Sequence, residues 1–432
     1  MRVGIAGLWH LGCVTAACLS HGGHDVVALD PDPTIVGGLN AGKPPLFEPG
    51  LEDLIRQGLA SGKLRIENDI ASAANVEVMW ITFDTPVDEN DEPQPASVLD
   101  YVRSLIDHVS PGCLILISSQ LPAGTTRRLC REAEQRGRSD VTFAYSPENL
   151  RLGRAIDVFC RPDRVVVGVQ SDTDREKIAA LLAAFTTNIV WMGIESAEMT
   201  KHAINAFLAT SVVFMNEIGA LCERLGADAK EVEHGLKSEQ RIGPHAYLSP
   251  GGAFAGGTLA RDITTLADLN SALSAPGVLF SAVRDSNHRH RSWALDKLRE
   301  RLAPLTGCRV AILGLTYKAG TSTLRRSSAV ELAIELAAEG TRVSAFDPAV
   351  RELPAELAGR IDLSDTAAGA LTGADALVLA TAWPEFRDLP WPVLLSTMRA
   401  PILIDANWFM ADPLRYFPGL AYTAVGLPWT DR

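Results

Sequence analysis

Short apolar runs, each closed by a glycine or an acid and followed by helical periodicity, dominate the first 195 residues. RVGIAG (2–7) ends in Gly, a helical pattern runs from about Leu11 to His21, and DVVALD (25–30) ends in Asp. Strand, glycine turn, helix and acid-ended strand make a βαβ unit. VEVMWITF (76–83), CLILISS (113–119), VTFAYSP (141–147) and RVVVGV (164–169) continue the alternation. The pattern predicts one doubly wound parallel sheet over residues 1–195.

From Glu195 the period changes. ESAEMTKHAINAFLATSVVFMNEIGALCERLG (195–226) keeps a helical repeat with no Gly or Pro before Gly219. It predicts one long helix, roughly 40–45 Å at 1.5 Å per residue, of the kind that bridges domains or forms a dimer interface. A Gly-rich loop, SPGGAFAGGT (249–258), lies beyond it. A second α/β run begins at CRVAILGL (308–315). It passes through a helix near 327–339 to RVSAFDP (342–348), DALVLAT (375–381) and PILIDAN (401–407). The expected fold is α/β. Two Rossmann-like doubly wound parallel-sheet domains, 1–195 and 301–432, are joined by a long central helix and a helical middle region, 196–300.

Composition adds limits. A chain of 432 residues, 47% apolar and 21% charged, is too long for one core and has an ordinary globular balance. Its net charge of −12 makes it a poor general binder of nucleic acid or anionic membrane, so cations that meet a phosphate must be gathered locally. No run approaches ~20 unbroken apolar residues, which speaks against a membrane span. MRVGIAGLWHLG lacks a charged segment followed by a cleavage site and reads as a first strand, not a signal peptide. The seven Cys are irregularly spaced without CxxC, the pattern of reduced cytosolic thiols, and the expected location is the cytoplasm. No His, Cys or carboxylate cluster has metal-ligand spacing.

The turn after the first strand is Gly7-Leu8-Trp9-His10-Leu11-Gly12. Against GxGxxG it keeps the Gly that permits the tight turn and the Gly that lets helix pack on strand. Trp9 replaces the Gly that lets backbone approach a pyrophosphate. Amides at the helix N-terminus remain available to a diphosphate. The alternative is a purely structural strand–helix turn. Asp30 ends the second strand, where a carboxylate accepts from a ribose 2′-hydroxyl. No Arg or Lys follows in PDPTIVGG, which favours NAD over NADP. Asp30 as a turn cap is the other reading.

Further segments carry a family resemblance. LNAGKPPLFEPGLEDLI (39–55), FDTP (83–86), SSQLPAGTT (118–126) and YSPENLRLGRAIDVFCRPDRVVVG (145–168) come in order. EMTKHAINAFLATSVVFMNE (198–217), QRIGPHAYLSPGGAFAGGTLARD (240–262), GLTYKAGTSTLRRSSAVEL (314–332) and FDP (346–348) follow. Together they resemble the UDP-glucose/GDP-mannose dehydrogenase family over nearly the whole chain. That family oxidises the C6 alcohol of a nucleotide-diphosphate hexose to a carboxylate in two NAD-dependent steps, with a Cys thiol trapping the aldehyde and water hydrolysing the thioester.

The resemblance implies roles residue by residue. Lys201 and Asn205 match the catalytic Lys and Asn, and at i,i+4 they share one helix face. Lys201 would stabilise an oxyanion, Asn205 orient water, Asp262 act as the water-linked base, and Glu148 contact or activate water. Gly7, Trp9, His10, Leu11, Gly12, Asp30, Thr85, Gln120 and Arg325 would meet the cofactor. Glu148, Asn149, Leu150, Lys201, Asn205, Arg241, Gly257 and Lys318 would meet a nucleotide-sugar substrate. The Arg of RIG, Arg241, reaches the partner subunit's site in the family, which implies a homodimer.

Departures from the family pattern are grouped. GGTLARD puts Thr258 where the nucleophilic Cys belongs and Arg261 where the neighbouring Lys belongs. A Thr hydroxyl is a far weaker nucleophile than a thiolate. Leu152 replaces the second Glu of NPExLxE, Gln120 the Thr of STVP, and Asp405-Ala406-Asn407 the DGR-type motif. The parts that remove a hydride remain, while the covalent trap and a neighbouring acid are gone. The expectation is therefore a single two-electron oxidation to a ketone or aldehyde. A substrate with carbons beyond C6 suits it, such as a GDP-octose of lincosamide-type antibiotic biosynthesis. The alternatives are a complete four-electron dehydrogenase giving a uronate, with Cys160 the nearest candidate thiol, and a non-catalytic nucleotide-sugar-binding protein.

Overall fold

Eight short strands build the first sheet: β1 (Arg2–Ala6), β2 (Asp25–Leu29), β3 (Leu64–Glu67), β4 (Val78–Ile81), β5 (Leu114–Ile117), β6 (Thr142–Tyr145), β7 (Val165–Gly168) and β8 (Ile189–Met192). The structure, a computed structural model, describes residues 1–86, 94–148, 150–255 and 257–430. The strand order is β3-β2-β1-β4-β5-β6-β7-β8. Its first six strands are parallel and the order reverses beside β1, the topological switch point at which such sheets bind ligands. β7 runs antiparallel to β6, and β8 runs parallel to β7. The sheet over 1–195 is thus not parallel throughout. The segment after β6 makes only a loop and a one-and-a-half-turn helix, too little for a full crossover, so the chain returns in the opposite sense.

Helices α1 (His10–His21), α2 (Pro33–Asn40), α3 (Leu51–Ala60), α4 (Ala96–His108), α5 (Thr125–Gln135), α6 (Ala155–Cys160) and α7 (Asp172–Leu182) connect these strands. The strands are nearly all apolar because both faces are covered. One core packs Val3, Ile5 and Trp80 against α1 and α7, and the opposite core packs Met79, Ile81 and Ile115 against α4.

The long helix α8 spans Ile194–Leu225. By length and hydropathy alone it could cross a bilayer, yet Glu198, Asn205 and Asn216 on it are buried and hydrogen-bonded to protein. It is followed by α9 (Ala229–Ser238), α10 (Thr258–Ala272), α11 (Leu279–His290) and α12 (Trp293–Leu302). A second sheet holds β9 (Arg309–Leu313), β10 (Arg342–Phe346), β11 (Ile361–Leu363), β12 (Ala376–Leu379), β13 (Ile402–Asp405), β14 (Ala421–Ala424) and β15 (Leu427–Thr430). Its order, β11-β10-β9-β12-β13-β14-β15, repeats the first six positions of the other sheet, with only β15 antiparallel. The chain forms two compact units, Met1–Ile204 and Asn205–Arg432, and α8 runs through the boundary.

Candidate active site

The glycine turn shows why its two glycines are there. Gly7 has φ +95°, and a Cβ on it would lie 2.7 Å from the Phe83 nitrogen. A Cβ on Gly12 would lie 1.8 Å from the Gly7 carbonyl oxygen. Trp9 stands just before α1 at φ −84°, a conformation open to any L-residue, and its side chain is exposed. The backbone conformation at position 9 therefore does not itself require glycine, and the first turn of α1 follows directly. His10 opens the helix and Leu11 follows, half-buried. Asp30 is buried at the end of β2 and accepts from the Leu8 amide at 2.6 Å and the Asp32 amide at 2.9 Å. It braces the turn, as the capping reading expected, and carboxylate lone pairs remain for a ribose hydroxyl. Across the switch point the Thr85 hydroxyl donates to the Gln120 carbonyl at 2.6 Å, joining two of the loops assigned to the cofactor.

Glu48 ties this turn to the next loop. It is buried, and its carboxylate accepts from the amides of Gly153 and Ala155, each at 2.8 Å, and lies 2.9 Å from His10 Nε2. Burial alone would raise its pKa. The bond from His10 and the two amides outweigh that and hold the carboxyl below its usual range.

The loop so anchored carries Glu148 and Leu150; Asn149 lies outside the described residues. Glu148 accepts from the Leu150 amide. Burial pushes its carboxyl above the usual range, against the pull of the Lys201 ammonium and that amide. Lys201 Nζ donates to the Glu148 backbone carbonyl at 2.7 Å, which ties the ammonium to this loop. One turn earlier on α8, Glu198 accepts from the Gly124 and Thr126 amides and the Thr126 hydroxyl. A carboxylate at the N-terminus of α5 suits the dipole there and fixes where α8 starts. Leu152 is exposed.

In the second unit Asn205 Nδ2 donates to Asp262 Oδ2, and both side chains are buried. Asp262 lies in the second turn of α10 and Thr258 is its exposed first residue, after Gly257. The preceding glycine loop is held by three asparagines. Asn216 accepts from the Gly251 amide, Asn407 from the Gly252 amide and Asn287 from the Phe254 amide, each at 3.0 Å. Asn407 thus has a task of its own where the family pattern has Arg. Of the cations expected to meet cofactor or substrate, Lys318 and Arg325 are exposed on the loop between β9 and α13 (Ser328–Ala338), and Arg241 is exposed beside Glu239.

Residues 1–186, 195–289 and 311–411 match, in that order, the NAD binding domain, the central domain and the UDP binding domain of one family, the UDP-glucose/GDP-mannose dehydrogenases. The UDP-glucose 6-dehydrogenase of Pseudomonas aeruginosa is 33% identical over 444 residues, covering 99% of this chain and 98% of the relative. The chain belongs to the UDP-glucose/GDP-mannose dehydrogenase family. Another UDP-glucose 6-dehydrogenase, from Rhizobium meliloti, is 32% identical over 440 residues, with 99% and 100% covered. The structure of a UDP-glucose dehydrogenase from Pyrobaculum islandicum aligns with TM-score 0.83 at 30% identity, covering 94% of each chain. That of a UDP-D-ManNAc dehydrogenase from Pyrococcus horikoshii aligns with TM-score 0.85 at 25% identity over 99% of each.

This dehydrogenase is an NAD-dependent oxidoreductase of CH–OH donors with a nucleotide-sugar substrate. The glycine turn fits the cofactor's usual seat: a Cβ at Gly7 or Gly12 would strike the turn's own surroundings, Phe83 and the Gly7 carbonyl, so only glycines allow this tight strand-to-helix turn ahead of the α1 N-terminus. Sequence reasoning missed Glu48, Glu198 and the loop-holding asparagines. Glu48 stands inside the EPGL segment and Glu198 three residues before Lys201, but their partners lie 105 and 72 residues away.

Proposed function

We propose that this dehydrogenase performs one two-electron oxidation of a nucleotide-diphosphate sugar and stops at the carbonyl. The observation that carries the reading is Thr258. In the register of the family's nucleophilic Cys stands an exposed hydroxyl at the first turn of α10. The cysteines of the same unit are elsewhere. Cys222 lies near the end of α8, and Cys308, just before β9, contacts the Leu302 and Pro304 carbonyls. Cys160 is held against Cys18 in the first unit.

Bound NAD supplies the hydride acceptor. The Lys201 ammonium offsets the charge that grows on the reacting oxygen. Asp262 takes the hydroxyl proton, directly or through water, and the Asn205 amide orients its carboxylate by donating to Oδ2. A secondary alcohol would give a ketone, for which a thiol trap has no use. The substrate class proposed is therefore a sugar extended beyond C6, with a GDP-octose of lincosamide-type antibiotic biosynthesis as the first to test.

NADH formed per substrate consumed decides between the readings. One equivalent with a carbonyl product is expected. Two equivalents with a uronate would establish the four-electron reaction, and absence of turnover with no NAD-induced rise in melting temperature would favour a pure binding protein.

We also propose a cytoplasmic homodimer built through α8. Phe207, Phe214, Leu221 and Leu225 are exposed, and their spacing of seven, seven and four residues puts them on one helix face. Light scattering should give twice the 46.4 kDa chain mass and a monomer for Leu221→Glu. A parent monomer would remove the proposal.

A further inference from the structure

Outside the site, two thiols meet. Cys18 lies in the second half of α1 and Cys160 is the last residue of α6, 142 positions later, with Sγ atoms 3.8 Å apart. A disulfide needs about 2.0 Å, so the sulfurs must close by roughly 1.8 Å, within reach of side-chain rotation and a small helix shift. An aromatic cluster holds α6 in place: the Phe159 ring centroid lies 6.2 Å from that of Trp80 and 5.1 Å from that of Phe185.

The two thiols are unequal. Cys18 is fully buried, and Cys160 is half-buried beside the exposed Arg161. The hydrogen bond between the two sulfurs, with help from Arg161 and against some burial, brings the Cys160 thiol down to about 7. The same bond, together with burial, keeps Cys18 protonated. An accessible thiolate backed by a buried thiol is the arrangement of an attacking and a resolving cysteine.

We propose that Cys18 and Cys160 form an oxidisable dithiol that hydrogen peroxide converts to an intrachain disulfide. The Cys160 thiolate attacks one peroxide oxygen. The O–O bond breaks, Cys160 becomes the sulfenic acid, and the departing hydroxide takes a proton to leave as water. The Cys18 sulfur then attacks the Cys160 sulfur, the S–O bond breaks, and the hydroxyl leaves with the Cys18 proton as a second water. Two thiols lose two electrons and the peroxide gains them. In a reducing compartment such a bond is transient, a switch and not a staple.

The pair sits where it can be felt. α1 begins at His10, α6 begins at Ala155, and Glu48 binds both of those ends. Drawing the two helices together displaces the turn that receives the cofactor relative to the loop that carries Glu148. Misplacement by about 1 Å can cost up to ~100-fold in rate, so a loss of at least several-fold is expected on crosslinking.

The test treats the full chain with a pulse of hydrogen peroxide, alkylates free thiols under denaturing conditions and maps the peptides. One linked pair containing Cys18 and Cys160 is expected, reversed by dithiothreitol, with the NADH-forming rate falling and recovering alongside. The Cys160→Ser enzyme should keep its rate through the same pulse. In Cys18→Ser, dimedone should trap Cys160 as the unresolved sulfenic acid. Both cysteines found alkylated in the parent, or Cys160 over-oxidised with Cys18 free, would overturn the dithiol. A rate untouched by complete crosslinking would overturn its coupling to catalysis.

Discussion

Glu48→Ala should damage the first unit more than its place in a loop suggests. The substitution leaves the Gly153 and Ala155 amides and the His10 ring without their common acceptor, in a spot where Glu48 itself is 3% exposed. Each bond to a buried charge is worth roughly 1.5–3 kcal/mol and the three are not additive, so a loss of about 3–5 kcal/mol is expected. For a unit of this size that lowers the melting temperature by roughly 10 °C. Glu48→Gln should cost less, about 1–3 kcal/mol, because its NH2 must face at least one of the two amide donors in either orientation. The pH dependence has a definite sign. The folded carboxyl titrates below its usual 4.5, so its stabilisation is complete above that value and is lost as pH falls through the folded pKa. The gap between parent and Gln variant should therefore narrow below about pH 4.5. Thermal melts across pH, with hydrogen exchange at residues 153 and 155, measure all of this. A Glu48→Ala protein melting within about 2 °C of the parent, with those amides still protected, would refute the argument.

Three further outcomes are expected. Gly12→Ala should abolish NAD binding by calorimetry, since its Cβ would meet the Gly7 carbonyl at 1.8 Å and nothing there is flexible. Glu148→Gln should lose activity yet gain stability at pH 7. The carboxyl is held above its usual 4.5, so ionising it weakens the fold increasingly as pH rises from about that value to the folded pKa; denaturant midpoints should separate over that window and coincide below it. Thr258→Ala should change kcat by less than about threefold if the hydroxyl is no nucleophile; a fall of 100-fold or more would restore a covalent role for it.

How far the chain could be read in advance depended on the range of the interaction. Strands such as β1, β4 and β9, buried on both faces, announce themselves as apolar runs, and α8 ends within a residue of its periodic pattern. β3 (LRIE) and β8 (IVWM) are four residues long with little contrast to their flanks, so no pattern marks them. The reversal at β7 depends on how a loop folds back, which no local period encodes. The i,i+4 placement of Lys201 and Asn205 was legible because one element, α8, carries both. The supports of the glycine loop were not. Asn407 reaches Gly252 across 155 positions, and an Asn at the end of a strand reads locally as an ordinary turn residue.

The two similar sheets leave the question of which half receives the dinucleotide, and the two strand-ending aspartates answer it on lone pairs. In both halves the amide after the first glycine donates to the acid: Leu8 to Asp30 and Leu315 to Asp347. Among the described residues Asp30 receives one more bond, from Asp32, and keeps acceptor capacity at the mouth of its sheet. Asp347 is far more heavily engaged. Its Oδ2 takes the Leu315 and Thr316 amides, the Thr316 hydroxyl and the Trp383 indole, while Oδ1 takes the Ala349 amide. Four donors crowd Oδ2, which has about two acceptor sites, and one occupies Oδ1, so little more than a single Oδ1 lone pair stays open to a ribose. The same turn geometry therefore serves a different purpose in each half. In the first it frames a carboxylate that is still open to a ligand. In the second most of the carboxylate's capacity goes to bracing the start of the loop on which Lys318 and Arg325 stand.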